Sequence, residues 1–157
     1  MKLSVKKGFS FGLTSGIITT LGVMVGLHSS THSAMVVIGG ILVIAIADAL
    51  SDSVGMHISK EAENKHTTKE IWESTIATFI TKFIFALTFA VPVILFSLQK
   101  AIIINVVWGL SLITIFNFYM VRQQKEKSYK PVLEHLAIAV LVVIITHYVG
   151  DWVGRFS

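Results

Sequence analysis

Five apolar stretches, each long enough to cross a bilayer, leave this chain few folds to choose from. About 20 residues of helix span the hydrocarbon core. The stretches near 8–28, 34–58, 74–98, 101–121 and 131–153 all reach that length. Within a bilayer the backbone must satisfy its own polar groups, so such runs are helices. At 54% hydrophobic and 14% charged, the 157 residues are too apolar for a soluble domain of this size. The expected fold is an all-α membrane protein, a single transmembrane domain over 1–157. Short connections make neighbouring helices antiparallel. The first stretch is long and glycine-rich, with no A-x-A-like site after it, so it reads as a retained span rather than a cleaved signal. Without cysteine, neither disulfides nor thiolate metal sites are available.

The net charge of +4 reports orientation rather than nucleic-acid binding. Lys2, Lys6 and Lys7 precede the first helix. Lys60, Lys65 and Lys69 lie between the second and third, and Arg122, Lys125, Lys127 and Lys130 between the fourth and fifth. The other side carries only Lys100 and Arg155. The positive-inside rule then places the N-terminus in the cytoplasm and the C-terminus outside. With no targeting segment in view, a prokaryotic plasma membrane is the simplest expectation.

Charges inside the spans are few. Asp48 and Asp52 stand one turn apart in IGGILVIAIADALSDSVGMHIS and project from one helix face. Ser51, Gly55 and Ser59 share that face, Met56 lies at its edge, and His57 lies opposite. A carboxylate at the centre of a span costs about 2.5–3.5 kcal/mol on insertion scales and commonly marks an ion path, a relay or a buried pair. Lys82 sits in the apolar run TFITKFIFALTF. Counting 1.5 Å per residue, Ser15, Asp48 and Lys82 share a layer about 9 Å into the membrane, with Asp52 and Glu134 nearer the edge. One lysine cannot neutralise two aspartates, which leaves a carboxylate for a proton or a metal. Hard or borderline divalent ions favour oxygen donors. The candidate metal ligands are therefore Asp48, Asp52, Ser51, Ser15 and Met56, with Thr19, Lys82 and Glu134 along the path or in an ion pair.

Two further patterns bear on assembly. Gly8, Gly12, Ser15, Thr19, Gly22 and Gly26 form a stripe of small residues on the first helix. Such stripes bring helix backbones close, either within one chain or across a dimer axis; Gly8, Gly12, Gly22 and Gly26 are the candidate dimer seam. The crossing KEAENKHTTKEIWE carries Glu61, Glu63, Glu70 and Glu73, a charge-balanced connection or a weak cytosolic metal-capture patch. The turn HSSTHS holds His28 and His32, which a polar turn needs no metal to explain. Pro92 is expected to bend the third helix, and Pro131 to open the fifth. No nucleophile–base set, phosphate loop or cofactor motif is present, and GLTSG falls mid-helix rather than on a strand-to-helix turn. An enzyme is not expected.

Three segments resemble the vacuolar iron transporter family: SGIITTLGVMVG (Ser15 to Gly26), ADALSDSVGMHIS (Ala47 to Ser59) and VLEHLAIAVLVVIITHYVG in the last helix. The resemblance implies a homodimer whose path runs between subunits, lined by the first two helices. It implies export of Fe2+ or Mn2+ from the cytoplasm, with proton antiport, and no permanently bound cofactor. Its partners are a second copy, the bilayer, protons and the metal. Ser15 stands where the family has a metal-binding Asp, Asp52 where it has a Met, and Ile44 where it has a Glu. Two alternatives follow from these departures and from Lys82. One is a transporter of another solute on the same scaffold. The other is a non-transporting membrane subunit with a structural Asp–Lys pair.

Overall fold

The computed structural model describes residues 2–123 and 129–156 and is 91% helix, with no strand among the described residues. Five helices are long and apolar enough to cross a membrane: Leu3–Thr31, Ala34–Ala62, Thr68–Leu95, Leu98–Gln123 and Lys130–Gly154. The first is one segment, α1 (Leu3–Thr31). The second comprises α2 (Ala34–Val43), a π turn (Ile44–Asp48) and α3 (Ala49–Ala62). The third comprises α4 (Thr68–Thr88) and α5 (Ala90–Leu95); α6 (Leu98–Gln123) and α7 (Lys130–Gly154) complete the set. Lys125 and Lys127 of the basic connection lie outside the described residues.

The third span begins at Thr68, ahead of the expected residue 74. Its cause is local. Thr67 accepts from the Glu70 backbone N–H, and the Glu70 side chain takes the Thr67 N–H at 2.9 Å, a complete capping box. The preceding α3 ends at Ala62, and just beyond its cap Asn64 adopts the left-handed conformation (φ 50°) tolerated by Asn at a helix end. The expected polar crossing therefore shrinks to residues 63–67, and its outer parts belong to α3 and α4. At its far end the third span breaks at Phe89. Pro92 has no N–H for the Thr88 carbonyl, and its ring crowds that group, so α4 stops at Thr88.

The chain divides into two compact units. The first takes residues 1–20 and 41–90. Here α1 meets α4 through a regular ladder. A Cβ added at Gly8 would overlap the Ser74 carbonyl, one at Gly12 the Thr78 carbonyl, and one at Gly16 would lie 3.1 Å from Lys82 Cγ. Both partners advance four residues per rung, so the two helices run parallel at backbone contact. Thr78 donates to the Gly8 carbonyl across the gap at 3.2 Å. Small residues permit this approach, and in a bilayer it replaces the hydrophobic drive that water would supply.

The second unit takes residues 21–40 and 91–157. There a Cβ at Gly22 would meet Val142 at 2.9 Å, one at Gly26 would lie 3.4 Å from the Thr146 carbonyl, and one at Gly150 would lie 2.8 Å from Ser29 Cβ. The four glycines of the candidate dimer seam thus pack within the chain, on α4 in one unit and on α7 in the other.

Candidate ion site

Lys82 is the largest fully buried side chain of the described residues. The Gly16 rung places its stem against α1, and its ammonium reaches three polar groups on the first two spans. Nζ lies 2.5 Å from Asp48 Oδ2, forms an ion pair with Asp52 Oδ2, and donates to Ser15 Oγ at 2.9 Å. Ser15 passes its own proton forward, donating to Asp52 Oδ2 at 2.6 Å. A hydroxyl has one donor and two lone pairs, so both bonds are compatible. Thr19 caps this arrangement by donating to the Ser15 carbonyl at 2.9 Å.

The two carboxylates are not equivalent. Asp52 accepts aligned hydrogen bonds from both Ser15 and Lys82. Asp48 Oδ2 is buried and accepts no aligned hydrogen bond; the ammonium holds it by charge at short range. The side chains of Asp48 and Asp52 remain 26% and 22% exposed, against 0% for Lys82. The pair therefore faces outward around a buried cation. Asp48 closes the π turn, while Asp52 lies in the first turn of α3. A π turn inside an α-helix commonly marks a functional site, and this one ends on the first carboxylate.

With both aspartates ionised, Ser15, Asp48, Asp52 and Lys82 sum to one negative charge. An uncompensated charge in a span is costly, so this cluster has capacity for one further positive charge, a proton or a shared cation. Among the described residues no group of three His, Cys, Asp or Glu is arranged to hold a metal ion. Within one chain the available donors are two carboxylates and a hydroxyl, already turned toward an ammonium.

The other expected residues fall elsewhere. Ser51 is exposed and Met56 half-buried on α3. His57, opposite the aspartates as its position on the helix requires, contacts Thr75 Oγ1 at 3.1 Å and packs edge-on against Trp72. Glu134 belongs to the second unit, on α7, 4.0 Å from Lys130. Of the possible capture patch, Glu61 is exposed. Glu63 contacts His66 at 2.9 Å, Glu70 is used in the capping box, and Glu73 takes both Lys2 and Ser4 at 2.6 Å. Three of these four carboxylates thus have structural partners. The His66 bond holds the Glu63 carboxyl below its ordinary range.

Sequence reasoning did not pair Asn117 with His135. In the second unit the ring Nδ1 lies 2.6 Å from Asn117 Oδ1, joining α6 to α7. The available signal was position: Asn117 sits near the end of α6 and His135 near the start of the antiparallel α7. Ser29 and His147 Nδ1, 2.6 Å apart, make a similar contact at the other end.

Compared with protein-family models, curated proteins and solved structures, the chain finds no match, so the likeness to vacuolar iron transporters rests on its three motifs alone.

Proposed function

We propose that the protein is a secondary transporter that exports a divalent cation, Fe2+ or Mn2+, from the cytoplasm in exchange for protons. The observation that carries this reading is the single Lys82 ammonium set between two carboxylates in a span, leaving one negative charge unmet. Oxygen donors suit such ions. A carboxylate pair that must shed positive charge before accepting a metal links metal movement to proton movement.

On this reading the N-terminus is cytoplasmic and the C-terminus outside, in a prokaryotic plasma membrane. Two copies meet along the π turn and α3. There Ala47, Ser51, Gly55 and Ser59 form an exposed small-residue row beside the half-exposed aspartates, and Gly55 has nothing within 4 Å of an added Cβ. A partner on that row would cover both carboxylates and double them about the axis, supplying the donors that one chain lacks.

Flux into proteoliposomes tests the function. Wild type should carry Fe2+ or Mn2+ under an imposed proton gradient, with Co2+ and Zn2+ as comparison ions. The Asp48→Ala, Asp52→Ala double variant should not. Absence of flux for every ion under gradients of either sign would overturn the proposal. One observation favours a purely structural pair: Lys82 is fully buried, donates to Ser15 and Asp52, and has Asp48 within ion-pair distance. In that case Asp48→Asn with Lys82→Met leaves transport and growth phenotypes unchanged.

A further inference from the structure

We propose that the Lys82 ammonium is a tethered competitor of the transported cation, seated between Asp48 and Asp52, and that it restricts the site to divalent ions. This rests on the transport reading above. A cation lies within ion-pair distance of both carboxylates and within hydrogen-bond distance of Ser15. That cation is covalently attached to α4, so it cannot diffuse away, and its effective concentration is set by its stem. Tethered groups on short flexible linkers reach millimolar effective concentrations or more.

Charge then decides which ions can win. Two carboxylates present two negative charges. An ammonium meets one of them, and a monovalent ion would do no better while lacking the tether. A divalent ion meets both. Only the divalent class gains electrostatically from the exchange, so the lysine acts as a threshold against sodium and potassium.

Geometry indicates how the exchange opens. Asp52 is held by aligned bonds from Ser15 and Lys82, whereas Asp48 Oδ2 receives none despite being buried. Asp48 is therefore the arm that re-aims toward an incoming ion, while Asp52 and Ser15 stay as the fixed side. The exchange would use the flexible four-carbon lysine stem, which lies against α1 where Gly16 has no side chain, its Cγ 3.1 Å from where a Cβ would stand.

The test measures Mn2+ binding to purified full-length wild type, Lys82→Met and Lys82→Arg by equilibrium dialysis. Thermal unfolding establishes that each variant is folded. Mn2+ should bind Lys82→Met roughly tenfold or more tighter than wild type. It should not bind Lys82→Arg, whose rigid two-pronged cation grips carboxylates more firmly. Sodium should compete with Mn2+ in Lys82→Met and not in wild type. Equal or weaker binding by Lys82→Met, or wild-type binding by Lys82→Arg, overturns the tethered-competitor role while leaving divalent transport standing. Mn2+ binding by none of the three removes both. If Lys82→Met does not fold, Lys82→Arg carries the test alone, and retained binding there overturns the proposal.

Discussion

In the first unit α1 meets α4 through Gly8, Gly12 and Gly16, and the last rung delivers a lysine to two aspartates. In the second unit the same helix meets α7 through Gly22 and Gly26, and its partners there include Val142, a threonine and a glycine. The packing device is common to both, yet the polar content differs. Polar contacts between helices in the second unit pair an imidazole with an amide or a hydroxyl: Asn117 with His135, Ser29 with His147. The first unit adds a charged cluster in which two aspartates face one lysine. Close glycine packing thus explains how the helices associate, and it says nothing about chemistry. What distinguishes the first unit is the residue that its third rung carries.

The largest test of this contrast truncates each buried polar side chain. Lys82→Ala leaves two aspartates without their cation, and breaking a buried ion pair costs about 3–5 kcal/mol. Asn117→Ala strands one imidazole nitrogen, at about 1–3 kcal/mol. Chemical unfolding in detergent should rank them in that order. Converting Asp48 and Asp52 to Asn beside Lys82→Ala should recover most of the first loss. Equal costs for the two truncations would erase the distinction between the units.

A smaller effect separates glycines that build the ladder from one that does not. Gly12→Val forces a side chain into the Thr78 backbone, and overpacking of this kind costs about 1–3 kcal/mol. Gly55→Ala enters open space and should leave monomer stability equal or slightly raised, since Ala is the better helix former. If two copies meet on α3, the same Gly55→Ala should weaken self-association in a crosslinking assay.

The smallest effect lies outside the spans. Because the His66 bond lowers the Glu63 carboxyl in the folded state, its contribution is fully present above the ordinary carboxylate value. It disappears as pH falls through the lowered folded-state value. Glu63→Gln should therefore flatten the acid limb of the unfolding temperature measured from about pH 6 to about pH 3. The group is exposed, so the change is slight; a large one would mean that the connection matters more to the fold than any contact of Lys82.

Much of the first unit was legible in the sequence, because depth along a span is simple arithmetic. Equal distances from the membrane edge put Ser15, Asp48 and Lys82 in one layer, and the structure brings them together along with Asp52. The same arithmetic put Glu134 near that layer, yet it lies in the other unit, since depth carries no information on which helices are neighbours. The glycine stripe has the same weakness: it specifies close approach without naming a partner. The early start of α4 is written in Thr67-x-x-Glu70, a capping pattern set within a segment whose charge suits a solvated connection equally well. The π turn had no such signal, for IAIAD contains neither glycine nor proline to announce it.

The α1–α4 ladder has one further consequence. Its rungs repeat every four residues on both helices, so sterics alone do not fix the register. A slide of one turn, about 6 Å, would still face glycines with short side chains along most of its length. It would also carry the Lys82 ammonium away from both aspartates. The electrostatic contact therefore acts as the index mark on a sliding scale, as a buried polar residue fixes the alignment of a coiled coil. Replacing Lys82 would thus alter the helix alignment as well as the charge.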